Sequence, residues 1–416
     1  MKDGTQLTSL LGPKALDAEV LKHKQDELEQ ADNAQSNSKQ TNTPVEQRQA
    51  EQRQTERLRQ EPHRGAAKGI YILANDYVLD QLIALIHSIE ENVSADIPIC
   101  VVPYDDNVAI AKAATESYPQ VQWFDDADIL AKWETFSTRI WEAHPTAFSV
   151  WATRGVKGVG RMGMHRRFCC FDGPFEKFIY LDADILAMDS FDLLFDSLDE
   201  HDFVTYDFQY KDLSHVYDVN ASNLTAVFER DRLETEIFCA GLYASKKGAF
   251  SDEMLDELLT HLQAGDAEIL YFNGPDQAIL NYMVMKSGID AINLSRTLPA
   301  EQRTGCCVTS PHFVEEDHVL FDHQQQLIYL HYIGVGSRFF RRVCEGENIL
   351  FPYRDLFLYY RYLREETQPV LSGPAVSYDR PELTRKQRVA RKLKGWAAAF
   401  TNVASKPDQA SADSPA

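Results

Sequence analysis

Apolar and polar positions change their spacing repeatedly along this chain, and each change marks the border of an element. "GIYIL" (69–73) is an unbroken apolar run and predicts a buried strand. In "YVLDQLIALIHSIEEN" (77–92) apolar side chains recur three and four residues apart, the spacing of a helix with a buried face. "IPICVVPY" predicts a second strand, "NVAIAKAATESY" a second helix and "VQWF" a short third strand. After a Trp- and Gly-rich stretch (133–164) and a basic segment, residues 177–181 predict a further strand. The pattern continues through "IFCAGLYAS" (237–245), helices over 250–263 and 276–287, strands in "GIDAINL" and "LIYLHYIG", and an aromatic helix "YRDLFLYYRYLREE". Strands alternating with helices call for right-handed crossovers and a mainly parallel sheet, so the fold class is α/β. The chain shows no internal repeat.

Both flanks lose this pattern. Residues 1–66 are rich in Gln, Asn, Glu, Lys and Arg and have almost nothing to bury, which predicts a mobile extension or lone solvated helices. One domain is expected over 67–370. A linker follows (371–382, with "SGPAVSYDRPE"), then a basic amphipathic helix (383–404) and a disordered tail (405–416). In the basic helix Leu383, Ala390, Leu393, Ala397 and Phe400 share a face, and six Lys or Arg fall between 385 and 394. That suggests peripheral contact with an anionic membrane or an acidic partner, the plain alternative being a solvated or docked tail helix.

Composition narrows the classes of function. An apolar share of 44%, with 22 Phe and 18 Tyr, is ample for a large core. The net charge of −21 argues against nucleic-acid binding, because a polyanion would be repelled over most of the surface. An anionic substrate would need a metal or local basic residues. The seven cysteines are odd in number, include the adjacent pairs Cys169–Cys170 and Cys306–Cys307, and lack any C-x-x-C spacing. They suit packed thiols in a reducing compartment better than a disulfide framework or a zinc site. With no apolar leader and no stretch long enough to span a bilayer, a cytoplasmic protein is expected, peripheral at the membrane if the basic helix attaches.

The chemistry is concentrated in "FIYLDADILAMDSF" (178–191), where a buried strand ends in Asp182 and Asp184 with Ala183 between them. In an α/β sheet, ligands bind beyond the carboxyl ends of strands. Two carboxylates there can share Mg²⁺ or Mn²⁺ and leave positions open for phosphate oxygens. The plain alternative is a polar strand end beside a turn. Two enzyme classes use such a D-x-D: dehalogenase-type phosphatases, where the first Asp is a nucleophile, and GT-A glycosyltransferases. The phosphatase motif needs Thr or Val where this chain has Ile185, and it opens its domain. Here an α/β half precedes the motif, the order of the second class.

"FIYLDADIL", "IFCAGLYAS", "GPDQAILNY" and "LHYIGVGSRF", in this order and spacing, resemble glycosyltransferase family 8, retaining GT-A enzymes, over roughly residues 69–340. The resemblance implies a Rossmann-like GT-A domain that moves a hexose from a nucleotide-diphosphate sugar, UDP-linked in first preference, to a carbohydrate or other hydroxyl acceptor. It implies Asp182, Asp184 and His331 as metal ligands, with Asp182 and Ala183 also at the donor. A histidine among oxygen ligands favours Mn²⁺ over Mg²⁺. Ala74, Asn75 and Asp76 fall where the base and ribose bind, although Asp76 serves equally as a helix N-cap. Arg166 or Arg167 would reach the diphosphate or sugar, which of the two being open. Gly241 and Gly334 would let backbone approach the donor. Asp276 and Gln277, with Asn281 in the same pattern, are candidates to stabilise the transition state, although Asp276 also suits a helix N-terminus.

The sequence departs from that family at three points. Cys239 stands for an Asn, Ala278 for an Asp, and Ser337 for a Lys whose cation the adjacent Arg338 could replace at the leaving phosphate. Residues 206–236 are expected to shape the acceptor pocket. A non-catalytic rival is a self-glycosylating primer or scaffold, for which "YYRYL" supplies tyrosines.

Overall fold

The computed structural model describes residues 66–207 and 212–379. The N-terminal extension and the basic C-terminal helix expected from sequence lie outside these residues. Seven strands make the central sheet: β1 (Lys68–Ala74), β2 (Ile99–Pro103), β3 (Val121–Trp123), β4 (Lys177–Asp182) and, after β5 (Ile185–Ala187) has branched away, β6 (Phe203–Thr205), β7 (Leu242–Lys246) and β8 (Ala291–Asn293). Their order is β3-β2-β1-β4-β7-β6-β8, and β7 alone among them runs antiparallel to its neighbours. The expected mainly parallel α/β architecture is what forms.

β1 shows why its sequence is apolar without alternation: it is buried on both faces. Tyr71 and Leu73 enter one core, Ile70 and Ile72 the other. On the Ile70 side lie α1 (Leu79–Asn92) and α2 (Ala109–Thr115). On the Tyr71 side α3 (Ala127–Ala143), α4 (Asp252–Gln263) and α5 (Pro275–Ser287) pack over an aromatic core that includes Trp133, Trp141, Phe168 and Phe171.

The last third of the described chain builds a smaller layer. β9 (Val314–Glu316), β10 (Val319–Asp322) and β11 (Gln325–Gln326) form an antiparallel sheet, and β12 (Tyr329–His331) pairs with β5, placing His331 opposite Ile185. Behind that pair, α6 (Ser337–Cys344) and α7 (Arg354–Arg361) bury Phe340 and Phe357 against Leu186 and Leu330. α7 also covers the outer side of α1, where Arg361 meets Asp80 at 2.7 Å. This is why Gln81 to Ile89 are all buried, more than one helix face.

Two sequence expectations are corrected. "IFCAGLYAS" becomes strand only from Leu242; residues 238–241 are a turn, held by side chains described below. Within the expected linker, Ser372–Ser377 form β14, paired in parallel with β13 (Glu347–Leu350). An exposed edge strand with Gly373 and Pro374 has no apolar alternation to announce it, and an edge position tolerates the missing proline N–H. No helix among the described residues is long and apolar enough to cross a membrane.

Candidate active site

β4 ends at Asp182 and β5 begins at Ile185, so Ala183 and Asp184 form the bend by which the chain changes sheets. That bend aims both carboxylates at one point, and β12 brings His331 to it. One ligand atom from each of Asp182, Asp184 and His331 lies within 4.8 Å of the others. His331 Nε2 is 3.5 Å from Asp184 Oδ1. Backbone bonds fix both residues: Tyr332 N–H donates to the Asp184 carbonyl (2.9 Å) and His331 N–H to the Cys306 carbonyl (2.7 Å). Gly241 makes the room, since a Cβ there would stand 2.4 Å from His331 Cε1.

The electrostatics of the trio suit a cation. Burial pushes the Asp182 carboxyl up, with Arg167 opposing and Asp184 adding to the rise. Burial would depress His331, but Asp184 holds the imidazole well above its ordinary range. The imidazole in turn keeps Asp184 below the usual carboxylate range despite burial. Two carboxylates and an imidazole nitrogen are a donor set for a small divalent ion, and the nitrogen favours Mn²⁺ over Mg²⁺. Asp182 Oδ1 accepts from Arg167 Nη2 (2.9 Å) and from the Tyr180 hydroxyl (2.7 Å), and Oδ2 carries neither bond. The residues fit the ion.

The basic segment forms a 3₁₀ turn over Arg166–Phe171, in which neighbours splay about 120° apart. The two arginines therefore part. Arg166 turns away from the trio, donating to Glu134 Oε1 (2.6 Å) and the Pro103 carbonyl (3.0 Å). Arg167, only 1% exposed, points inward. Its Nη2 meets Asp182 Oδ1 and also Asp276 Oδ2 at 3.1 Å, its Nη1 donates to the Ala240 carbonyl (2.7 Å), and Tyr180 lies under the guanidinium. Asp276 is thus joined to the metal pair through Arg167. Burial would raise its carboxyl, but Arg167, with His165 and Arg161 behind it, holds it below the usual range.

Gln277 and Asn281 do something the sequence did not suggest. Gln277 Oε1 accepts from Ala240 N–H (3.1 Å) while its Nε2 donates to the His215 carbonyl (3.0 Å). Asn281 bonds both Phe238 N–H and Phe238 O at 2.9 Å, and Asp207 Oδ2 accepts from Cys239 N–H (2.9 Å). Three side chains thereby clamp consecutive N–H groups of the 238–241 turn, and Asp182 N–H donates to its last carbonyl, on Gly241 (2.8 Å). Gln277, read as a catalytic candidate, has its amide committed to positioning this turn.

The trio stands between two cavities. One, of about 840 Å³, is lined by Ala74, Asn75, Asp76, Asp182, Ala183 and Asp184. Asn75 Oδ1 accepts from Tyr77 N–H, and Asp76 Oδ1 accepts from Ala111 N–H, so Asp76 caps α2 rather than the helix that follows it. The second cavity, of about 380 Å³, is lined by His331 and Cys239, and by Asp207, Asp212 and His215 from the expected acceptor region. Of the residues expected at the donor or the chemistry, Arg166, Arg167, Asp276 and Gln277 line neither cavity, and nor do three others. Arg338 is exposed and lies over Phe339, Gly334 forms the turn before α6 with a φ of 84°, and Gly241 packs beneath His331. Sequence reading missed Tyr77, Asp105, Arg161 and Arg341 in the larger cavity. Of these, Arg341 was the most accessible, since it is four residues beyond Ser337 on the same helix face.

No family profile matches the chain, and no curated protein matches it in sequence. Several solved structures are similar. They include the apo form of the bifunctional glycosyltransferase WbbM (16% identity, 73% of this chain and 50% of that one, TM-score 0.46). Mouse xyloside xylosyltransferase 1, also apo, is similar at 14% identity over 55% of this chain and 85% of that one, with a TM-score of 0.40. The galactosyltransferase LgtC, in complex with donor and acceptor sugar analogues, is similar at 16% identity, 66% and 94% coverage and a TM-score of 0.39. The chain spans half the length of WbbM. Likeness of this degree assigns no activity by itself.

Proposed function

We propose that the protein is a metal-dependent GT-A glycosyltransferase that moves a hexose from a nucleotide-diphosphate sugar, UDP-linked in first preference, to a hydroxyl acceptor with retention. The observation that carries this reading is the seat of Asp182, Asp184 and His331 between a nucleotide-sized cavity and a smaller polar one. Mn²⁺ bound by the trio would supply Lewis-acid neutralisation of the diphosphate. The chain's own residues do the rest. Asn75 and Asp76 line the end that would take base and ribose. Arg167 fixes Asp182 and Asp276 in register. The 238–241 turn, clamped by Asp207, Gln277 and Asn281, brings Cys239 to the smaller cavity and Gly241 beneath His331. Retention is carried by the family resemblance, and a cytoplasmic location by composition.

The phosphatase alternative is not favoured. Its motif needs Thr or Val where Ile185 stands and opens its domain, whereas β1 to β3 precede Asp182 here. The primer alternative loses two of its three acceptors in this stretch: Tyr360 is buried and donates to the His318 carbonyl, and Tyr362 donates to the Cys344 carbonyl.

The test is a thermal-shift panel of UDP, GDP and ADP with and without Mn²⁺, followed by assay of UDP-hexose hydrolysis. Stabilisation by a nucleoside diphosphate only when Mn²⁺ is present is expected. No response to any of the three removes the reading.

A further inference from the structure

A diphosphate leaving group gathers negative charge as the sugar departs, and one divalent ion held by two carboxylates neutralises only part of it. Cations on the cavity wall should supply the remainder. Arg167 is poorly suited, because its guanidinium is sealed between Asp182 and Asp276 and its charge is already matched twice. Arg338, the nearest basic residue to the sequence motif, points elsewhere.

The larger cavity has two other arginines in its lining, Arg161 and Arg341. Arg341 sits on α6, one turn beyond Ser337, so both side chains face the same cavity that holds Asp182 and Asp184. Its guanidinium rests over the exposed ring of Tyr77, 4.9 Å from the centroid, and makes a 3.7 Å pair with Glu345 in which both side chains are about half exposed. Neither contact is strong: an exposed i,i+4 pair and an exposed ring stack are both easily exchanged for an anion. Arg161 is exposed and sits at a φ of 55°, a backbone conformation unusual for a side chain of its size.

We infer that Arg341, with Arg161 lining the same cavity, is the basic group that binds the donor's diphosphate, in place of Arg338. The guanidinium, resting over Tyr77, turns to the phosphate oxygens of a bound nucleotide. Its planar donor fork matches two such oxygens at once. This assignment rests on the glycosyltransferase reading and extends it to a named residue.

The test compares binding of UDP and of uridine, in the presence of Mn²⁺, to wild type, Arg341→Ala, Arg341→Lys and Arg338→Ala, with GDP/guanosine and ADP/adenosine in parallel. Calorimetry should show the Arg341→Ala affinity for the diphosphate falling at least about tenfold, with the nucleoside unchanged. Arg341→Lys should recover part of the loss, Arg338→Ala should match wild type, and the salt dependence should flatten in Arg341→Ala. Equal losses for nucleoside and diphosphate, no loss at all, or a larger loss in Arg338→Ala would each overturn the assignment alone. A wild-type protein that binds none of the three diphosphates would overturn the transferase reading and this assignment with it.

Discussion

Arg167 Nη2 lies 2.9 Å from Asp182 Oδ1, joining the 3₁₀ turn that precedes β4 to the last residue of that strand. The same nitrogen holds Asp276 at 3.1 Å, so one buried cation serves two carboxylates. Arg167→Met should leave both acids uncompensated and destabilise the fold by about 3–5 kcal/mol. Arg167→Lys, a point charge without the fork, should retain the charge and lose the second contact. Urea denaturation of the three proteins checks this; a Met variant as stable as wild type contradicts the bridge.

Asp184→Asn removes the carboxylate that pairs with His331 and should abolish Mn²⁺-dependent nucleotide binding while lowering the midpoint of unfolding at neutral pH, since the fold favours the ionised Asp184. Isothermal titration with Mn²⁺ and UDP reads the first effect, calorimetric scanning the second. Chelation of wild type by EDTA should reproduce the binding loss without a mutation.

Gly241→Ala should act on metal binding through a residue that touches no ligand. Its Cβ would stand 2.4 Å from the His331 ring and force the imidazole aside. Displacing a ligand in this way should weaken Mn²⁺ about 10–100-fold. Unaltered Mn²⁺ affinity in a folded variant would show that His331 is not held where the structure places it.

His165 gives the fold a pH dependence of defined sign. Trp141 Nε1 donates to its Nε2 at 2.9 Å, which fixes the neutral tautomer, and burial pulls the imidazole down to about 4. Above the unfolded value of about 6.5 both states are neutral and the contribution is complete. As pH falls toward 4 the unfolded chain takes up the proton first, and stability drops by about 3 kcal/mol. His165→Gln should flatten that part of the profile, measured as the difference in denaturation free energy between pH 7 and pH 4.

Asn281→Ala should destabilise more than Gln277→Ala. Asn281 is fully buried and its loss leaves Phe238 N–H and C=O without partners, at about 1–3 kcal/mol for each unsatisfied group. Gln277 is half-buried, so water can replace part of what it does. Chemical denaturation of both variants decides the order.

Periodicity made the sheet and its helices legible because β1, β2 and β4 are buried on both faces and read as pure apolar runs. That Asp182, Asp184 and His331 come together was anticipated from the D-x-D at a strand end and, for His331, only through the family resemblance. The clamp on the 238–241 turn was not. Asp207, Gln277 and Asn281 come from distant segments, and nothing in a linear pattern tells an amide that holds backbone from one that meets substrate. Arg166 and Arg167 were separable only once the 3₁₀ turn fixed which way each points. β13 and β14 stayed hidden because exposed edge strands bury too little to impose a period.

The bend at Ala183 and Asp184 has one more consequence. Because β4 and β5 belong to different sheets, an ion gripped there would rivet the nucleotide-binding layer to the C-terminal layer, with His331 as the far plate. Loading the ion would then slow amide exchange along β5 and β12 well away from any nucleotide, and stripping it would let that seam open first.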